Sequence, residues 1–372
     1  MAITEYYVDP AINANSGTGT IGDPWGDLQY ALNTVTRDAT NGDRFNIKAG
    51  TAEVLTAGLS LATYGTPTEA APLVIQGYTS AAGDGGIGEI NNGGANVAII
   101  NTSALIIFVD MKMGNTGSAA PLTMGQYGAL IRCEIHTASG TGVVIGHYAQ
   151  VVGCYFHDLT GQAALHLIGA GSVGGSLALG NYFSNAGGQY TVYLASIGNT
   201  VIGNVFERTD AYTTVKAIYA LRRANWIIGN TIFNDNASTD IAIHASGTGH
   251  YAIVNNIIQG YSGSGATAIT HANGFLVTAA NAYYNNTANE SIADVHVNLK
   301  ANLALGSSPF VNAAGGNFEI DGDSDASEAA WPSAWKGLAT TANAADIGAV
   351  QSGAGSGGGV SIYTRSVRVI KG

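Results

Sequence analysis

The sequence has little charge, little cysteine and no long apolar run. Lys, Arg, Asp and Glu make up 10% of the 372 residues, and the formal net charge is -11. An acidic chain with so few Lys and Arg lacks the clustered positive charge that binds a nucleic-acid backbone. No apolar segment reaches the roughly 18 residues that a membrane-spanning helix needs. We therefore expect neither nucleic acid nor a membrane as a partner.

Cysteine is scarce as well, because Cys133 and Cys154 are the only two in the chain. Two are too few for a disulfide framework or a Cys-based zinc site at this length. Residues 1–7 show no basic region followed by an apolar core, so no secretion signal is predicted. What the chain does have is 52 glycines and 46% hydrophobic residues, which exclude a disordered protein and supply a large core.

A short phrase recurs through the middle of the chain, an apolar β-branched run followed by Asn or Cys. Its markers lie 21 to 27 residues apart, at Cys133, Cys154, Asn181, Asn204, Asn230, Asn256 and Asn281. This period, without helical spacing, is typical of a solenoid whose strands pair in parallel with their equivalents in the next coil. It predicts an all-β parallel β-helix in which the markers stack about 4.8 Å apart.

The markers themselves are interpreted as structural. An Asn at a tight bend can hydrogen-bond backbone groups of neighbouring coils and so satisfy atoms that would otherwise be buried unpaired. Cys133 and Cys154 occupy the same column, at a separation that a disulfide would tolerate. Two buried thiols that fill the bend are the favoured interpretation, because buried free cysteine behaves as a small hydrophobe.

Both ends of the repeat carry signals of their own. Asp23, Pro24 and the apolar positions of 28–35 predict a short capping helix with Asp23 as its N-cap, and 45–50 is predicted to be the strand that opens the first coil. We expect an N-terminal segment at 1–50, coils at 51–290 and a closing segment at 291–351. A Gly-rich linker at 352–359 precedes a basic alternating strand at 360–372, which could add to a sister subunit or a virion protein.

These segments resemble the pectin-lyase-like superfamily. The resemblance covers about residues 5–350 and is carried by Tyr7-Val8-Asp9-Pro10, Gly22-Asp23-Pro24-Trp25, Leu28-Gln29, Gly42-Asp43, Ile47-Lys48-Ala49-Gly50-Thr51 and Asp346-Ile347-Gly348. It implies a right-handed, single-stranded parallel β-helix with a short N-terminal capping helix. The same fold hosts lyases, hydrolases, epimerases and non-catalytic virion spikes, so it does not fix a function. The start without a signal and the Gly-linked tail resemble those of phage virion proteins.

The catalytic signatures of two large groups within this superfamily are incomplete. Pectate-lyase relatives need an acidic cluster for Ca²⁺ and an Arg or Lys base, and polygalacturonase relatives need Asp pairs, Gly-His-Gly and Arg-x-Lys. Here Gly249-His250 lacks the second Gly, and Arg222-Arg223 lacks the Lys. The regular coils also place no two carboxylates side by side in a strand.

Aligning the strand before each marker reveals an aromatic column. Its members are spaced by 27, 26 and 25 residues and comprise His166, Tyr193, Tyr219 and His244. Their strand neighbours are apolar and point inward, so alternation turns the column outward. The column predicts contact with sugar rings, and the cations nearby would bind a uronate carboxylate, namely Lys216, Arg222 and Arg223. The alternative is that Tyr and His stack as good cross-coil neighbours without any ligand.

A catalytic hypothesis uses the same column. Tyr219 or His244 would remove the proton α to the carboxylate, and Arg222 would stabilise the enolate-like charge. The leading prediction is nevertheless a rigid structural or glycan-contacting module displayed on a virion or another surface. A polysaccharide lyase or glycoside hydrolase acting on an acidic polysaccharide is its rival.

Two further clusters carry weaker predictions. A second column follows the markers and comprises His136, His157, Ser184 and Glu207, with Asp158, Arg208 and Asp210 beside it. It could form an acid–base set or a weak metal site, although solvated loop residues are the favoured interpretation. Alternating carboxylates near the C-terminal end suggest a structural Ca²⁺ site, with turn formation as the alternative, at Asp321, Asp323, Asp325 and Glu328.

Overall fold

The computed structural model describes residues 3–12, 14–92, 99–102, 105–115, 117, 119–169, 174–209, 215–235, 239–327 and 329, without the side chains of residues 101, 102, 137 and 138. In this part of the chain, strands from successive coils pair in parallel and build three long sheets. The predicted parallel β-helix is confirmed. The linker at 352–359 and the tail at 360–372 lie outside the described residues.

Sheet 1 runs the full length of the coil stack and contains, in spatial order, β1 (Thr4–Val8), β2 (Asp43–Lys48), β4 (Leu73–Tyr78), β7 (Ile106–Val109), β10 (Ala129–Ile131), β13 (Gln150–Val152), β16 (Leu177–Leu179), β19 (Thr200–Ile202), β22 (Asn225–Ile228), β25 (Gly249–Val254), β28 (Gly274–Ala279) and β31 (Val295–Lys300). The first strand is therefore β1, and the strand predicted at 45–50 is the second. The prediction missed β1 because its side chains are mostly exposed or half-buried.

Sheet 2 follows sheet 1 in each coil and contains β3 (Glu53–Val54), β5 (Gly88–Asn91), β8 (Met111–Gly114), β11 (Glu134–Ala138), β14 (Tyr155–Leu159), β17 (Tyr182–Ser184), β20 (Val205–Arg208), β23 (Thr231–Asn234), β26 (Ile257–Gln259), β29 (Ala282–Tyr284) and β32 (Leu303–Ala304). Sheet 3 completes the coil and contains β6 (Ile100–Thr102), β9 (Leu122–Met124), β12 (Val143–Ile145), β15 (Ala163–Leu167), β18 (Tyr190–Leu194), β21 (Lys216–Ala220), β24 (Ile241–Ala245), β27 (Thr267–His271) and β30 (Ala288–Ile292).

The corner between sheets 1 and 2 explains why Gly so often precedes Asn in the repeated phrase. The residue before each marker has a positive φ, for example 61° at Gly180, 63° at Gly203 and 60° at Gly229. Glycine adopts this left-handed conformation without a steric penalty. The turn then directs the Asn side chain into the stack between the two sheets.

The Asn markers form a continuous ladder, as predicted. Asn204 donates its backbone N–H to Oδ1 of Asn230 at 2.9 Å, and its Nδ2 donates to the same oxygen at 3.0 Å. The pattern repeats from Asn181 to Asn302, and all five predicted Asn markers are at most 1% exposed. Cys133 and Cys154 extend the column as free, buried thiols, which confirms the favoured interpretation.

The short helix α1 (Leu28–Thr34) contacts β1 at the N-terminal edge of sheet 1 and buries Leu28, Ala31 and Leu32. The predicted N-cap at Asp23 is wrong, because Asp27 caps the helix with a 2.5 Å hydrogen bond from the Tyr30 N–H. Residues before Asp27 are held extended instead, since Trp25 exchanges backbone hydrogen bonds with Tyr7 and Asp9.

The closing strands β33 (Phe310–Asn312) and β34 (Asn317–Ile320) form an antiparallel pair around a 3-10 turn at Ala313–Gly315. Phe310 and Phe318 pack on the outer face of sheet 2 against Phe233. The pair therefore covers the C-terminal half of that face. The N-terminal half of sheet 2 and the outer face of sheet 3 are left for other roles.

Candidate functional site on sheet 3

The predicted aromatic column is present on sheet 3. His166, Tyr193, Tyr219 and His244 are register partners in β15, β18, β21 and β24. Their inner neighbours are fully buried, including Val192, Leu194, Ile218, Ala220, Ile243 and Ala245. The column itself is half-buried and faces outward. The alternation predicted from the sequence therefore holds.

The rings of the column stack on one another along the coil axis. The His166 and Tyr193 centroids lie 4.4 Å apart with an interplanar angle of 18°, and the Tyr193 and Tyr219 centroids lie 5.4 Å apart at 24°. Tyr219 and His244 are tilted by 53°. Stacked rings cover each other's faces, so this column offers edges, hydroxyl groups and ring nitrogens to a ligand rather than open faces. The predicted contact with a sugar therefore stays a prediction, with ring edges and polar atoms as the groups that the column offers.

Both histidines of the column keep a polar atom without a partner. Nε2 of His166 and Nδ1 of His244 have no hydrogen-bond partner among the described residues. Burial lowers the pKa of His166 to about 4, and burial together with the charge of Lys216 lowers the pKa of His244. Both imidazoles are therefore neutral near pH 7, and a hydroxyl group of a ligand could satisfy either nitrogen.

Tyr190 joins this site and was missed by the sequence analysis. Its ring stacks on Tyr219 at 4.7 Å and 15°, and it lies 5.1 Å from the Tyr193 ring. The Tyr-x-x-Tyr spacing of residues 190 and 193 could have indicated it, but an alternating strand places residues three apart on opposite faces. Tyr190 starts its strand at a corner, where that alternation does not yet apply.

The three predicted cations differ in what they contact. Lys216 donates to Asp240 at 2.8 Å and is therefore engaged within the protein. The side chains of Arg222 and Arg223 are exposed, and within the described ranges neither guanidinium forms a hydrogen bond or an ion pair. The charge of Arg222 acts on the column. Burial and Tyr219 raise the pKa of Tyr193, and the positive charge of Arg222 opposes this rise. Two positive charges that pair with no described residue thus stand beside the aromatic column.

The second predicted column lies on the outer face of sheet 2. His136, His157, Ser184 and Glu207 are register partners in β11, β14, β17 and β20. The prediction that these are solvated loop residues is wrong, because they belong to strands and are all half-buried. Strands of three to five residues with a polar outer face leave little alternation to read in the sequence.

His157 and Glu207 of the second column are hydrogen-bonded to neighbouring side chains. His157 contacts Glu134 at 3.2 Å through Nε2 and Asp158 at 2.8 Å through Nδ1, and Lys112 contacts the same Glu134 oxygen at 3.2 Å. Tyr182 donates to Glu207. Both nitrogens of His157 are occupied, so this cluster ties adjacent coils together and leaves His157 no free group for a substrate.

This network predicts a pH-dependent stability. Hydrogen bonding to His157 holds the pKa of Glu134 at about 2. The contribution of Glu134 to the free energy of unfolding is therefore lost as the pH falls toward that value. Burial lowers the pKa of His157, but Glu134 and Asp158 outweigh burial and raise it. The contribution of His157 to the free energy of unfolding is therefore lost as the pH rises through the pKa that His157 has in the folded protein. Both contributions are present between pH 4.5 and pH 6.5, which are the ordinary pKa values of Glu and His.

We expect His157→Asn to lower the free energy of unfolding by about 1–2 kcal/mol near pH ~5.5 and by clearly less near pH ~9, after allowance for solvent screening. Urea unfolding at both pH values measures the difference. His250→Asn, at an exposed histidine on sheet 1, is the matched control. A loss for His157→Asn that is equal at both pH values would show that the ion pairs do not stabilise the fold.

The predicted calcium ligands form local turns in the structure. Asp321 accepts the N–H of Asp323 at 3.2 Å, and Ser324 accepts the N–H of Ala326 at 3.2 Å. No group of three His, Cys, Asp or Glu side chains is arranged as metal ligands within the described part of the chain. Glu328 lies outside it, so the complete set of Asp321, Asp323, Asp325 and Glu328 is not tested and the calcium site stays a prediction.

A second buried ladder was also missed by the sequence analysis. Asn199 accepts the N–H of Ser176 at 3.3 Å, and Asn225 accepts the N–H of Asn199 at 2.9 Å. All three side chains are at most 1% exposed. This ladder lies at the corner between sheets 3 and 1, directly beneath the exposed arginines. It fixes the backbone that presents Arg222, whose carbonyl accepts from Asn225 Nδ2 at 2.5 Å.

Comparison with known proteins shows the fold. No family model matches the chain, and no curated protein matches its sequence. The pectate lyase Pel9A is similar in structure, with a TM-score of 0.55, 13% identity and coverage of 95% of this chain and 97% of that chain. A GH136 lacto-N-biosidase from Eubacterium ramulus has a TM-score of 0.54 at 12% identity, with 81% of this chain and 67% of that chain covered. The resemblance to pectin-lyase-like proteins is thereby confirmed for the fold.

No helix in the described part of the chain combines the length and the apolar character needed to cross a membrane.

Proposed function

We propose that this protein is a rigid glycan-contacting module that binds acidic polysaccharides along the outer face of sheet 3. The observation that carries the proposal is the pair of guanidinium groups of Arg222 and Arg223, which have no ion-pair partner among the described residues and stand beside the half-buried aromatic column. Guanidinium and carboxylate form charge-assisted, often bidentate hydrogen bonds. The chain is acidic as a whole, so two adjacent exposed cations that no described residue compensates suit an anionic ligand.

The column adds the polar contacts that a sugar requires. Tyrosine hydroxyls can donate to and accept from sugar hydroxyls, and the unpartnered nitrogens of His166 and His244 add two more contacts. These groups repeat about every 4.8 Å along the stack, which suits a ligand that extends along it. The structural likeness to a pectate lyase and a lacto-N-biosidase supports a carbohydrate as the ligand.

The test is a binding panel with acidic polysaccharides, polygalacturonate, alginate and hyaluronate, against the neutral polysaccharides cellulose and xylan. Calorimetry or affinity electrophoresis should detect binding of at least one acidic polymer and none of the neutral ones. Tyr193→Ala should weaken the binding about tenfold by removing a hydroxyl and the ring that holds its neighbours in place. Binding of no acidic polymer would refute the proposal.

A second candidate function is catalysis at the same face, as a polysaccharide lyase or glycoside hydrolase. The neutral His244, with Nδ1 unpartnered and Tyr219 beside it, favours a proton acceptor at this position. In a lyase, His244 or Tyr219 would take the proton α to the uronate carboxylate, Arg222 would hold the developing charge, and the glycosidic oxygen would leave. Following the same panel by absorbance of unsaturated products distinguishes turnover from binding alone.

Display on a virion or another surface, with residues 360–372 as the attachment to a sister subunit or virion protein, remains part of the proposal. It rests on the composition of the Gly-rich linker and the basic alternating tail.

A further inference from the structure

The corner between sheets 3 and 1 carries a second file of equivalent residues. Tyr127, Tyr148, Gly175, Gly198 and Ala224 occupy it in successive coils, and each has a positive φ between 57° and 79°. Backbone hydrogen bonds fix the register of these residues. The N–H of each of the first four donates to the carbonyl of the residue that directly precedes the next member, and the N–H of Ala224 donates to the carbonyl of His250. The file runs along the coil stack beside the aromatic column of sheet 3.

The first two members of this file are costly for the fold. Tyr127 has a φ of 61° and Tyr148 a φ of 57°, a conformation that is unusual for a bulky side chain. The two residues are 39% and 46% exposed, so the rings are not placed there to fill the core. The two rings stack on each other at 5.2 Å and 18°. Backbone strain at exposed rings that do not belong to the hydrophobic core points to a ligand contact.

The next two members leave a gap. A Cβ at Gly175 would lie 3.1 Å from Cδ1 of Tyr148, so this ring borders the glycine directly. At Gly198 a Cβ would find only backbone atoms of Gly175 within 4 Å, at 3.6 and 3.9 Å, and otherwise open space. Tyr148 and Ala224 are three coil steps apart, about 14 Å, and the described members of the file between them carry no side chain, although the Tyr148 ring extends over Gly175.

The far end of the gap is cationic and aromatic. Arg222 and Arg223 directly precede Ala224, and the stem of Arg223 fills the space above Gly249. Trp226 follows on the outer face of sheet 1, is 52% exposed, and lies between the smaller residues Thr200 and Ala252. The described part of this corner therefore presents a tyrosine pair at one end, two glycines in the middle, and two arginines without an ion-pair partner beside an exposed tryptophan at the other end.

We propose that this corner is an extended binding trough for an acidic oligosaccharide, with its carboxylates at Arg222 and Arg223 and a distal sugar unit against the Tyr127 and Tyr148 pair. The inference rests on the proposed function and extends it, because it assigns the ligand a direction along the stack and a minimum length. Exposed aromatic rings offer apolar area to the C–H face of a sugar, and the two glycines let the chain approach the backbone.

The test compares oligogalacturonates of increasing length by calorimetry. Oligomers long enough to reach from Arg222 to Tyr148 should bind about tenfold more tightly than those that reach only the arginine end. Tyr148→Gly removes the ring and relieves the positive φ, so it should abolish this gain while leaving the thermal stability unchanged or higher. Gly198→Asn tolerates the left-handed backbone and fills the space above this glycine, and it should abolish the gain as well.

The control variants are Tyr30→Ala, at an exposed tyrosine of α1, and Gly85→Asn, at a glycine with a positive φ of 83° and open surroundings. Both should retain the length dependence. If long oligomers bind Tyr148→Gly and Gly198→Asn as tightly as they bind the unaltered protein, the trough is refuted and the proposed function stands. If the unaltered protein binds no acidic oligomer of any length, the proposed function fails first.

Discussion

Replacing Asn230 by alanine is expected to lower the free energy of unfolding by about 3–5 kcal/mol. Oδ1 of Asn230 accepts two hydrogen bonds from Asn204, and its Nδ2 donates to the carbonyl of Val201 at 3.0 Å and to Asn256 at 2.9 Å. Alanine would leave the Asn204 N–H buried without an acceptor and the Val201 carbonyl without this donor. A small cavity in the ladder adds to the loss.

Two comparisons make this result specific. Asn33→Ala, at an exposed position of α1, should change the stability by less than about 0.5 kcal/mol. Asn230→Cys should lie between the two, because Cys133 and Cys154 occupy the same column naturally, with Cys154 Sγ 3.4 Å from the Cys133 N–H. Urea denaturation measures all three. A loss below about 1 kcal/mol for Asn230→Ala would mean that the ladder does not hold the coils together.

The sequence predicted the coil stack because each coil must meet the same short-range demands. A left-handed residue, a buried Asn and an apolar strand follow one another within a few positions, and their repetition is visible without any knowledge of the tertiary structure. The inward and outward faces of β18, β21 and β24 could be read from the same alternation. The aromatic column was therefore located correctly, and with it the neighbouring Arg222.

Other features depend on contacts between distant residues and could not be read locally. The helix starts at Leu28 because Trp25 pairs with the strand at Tyr7 and Asp9, which no helical signal around Asp23 reveals. Lys216 is paired with Asp240 across a coil. The mutual stacking of Tyr193 and Tyr219 depends on side-chain torsions, and it decides that edges rather than faces meet a ligand.

Of the sites proposed, the arginine pair has the clearest expected effect on binding. Arg222→Gln with Arg223→Gln should lower the affinity for oligogalacturonate about thirtyfold, since two exposed charge-assisted contacts contribute about 1 kcal/mol each. Replacement of both by Lys should recover part of the loss, because lysine keeps the charge but not the bidentate geometry. The affinity of the unaltered protein should fall with added salt toward that of the Gln variant.

The control must remove the same charge elsewhere. Arg44→Gln with Lys48→Gln does so at two cations of β2 that are already paired, with Glu5 at 2.9 Å and with Asp9 at 2.7 Å. If attraction between the acidic ligand and the total charge of the protein were the cause, both double variants would bind equally weakly. If Arg222 and Arg223 contact the carboxylates directly, only their variant loses affinity, because the charges of Arg44 and Lys48 are already paired with Glu5 and Asp9.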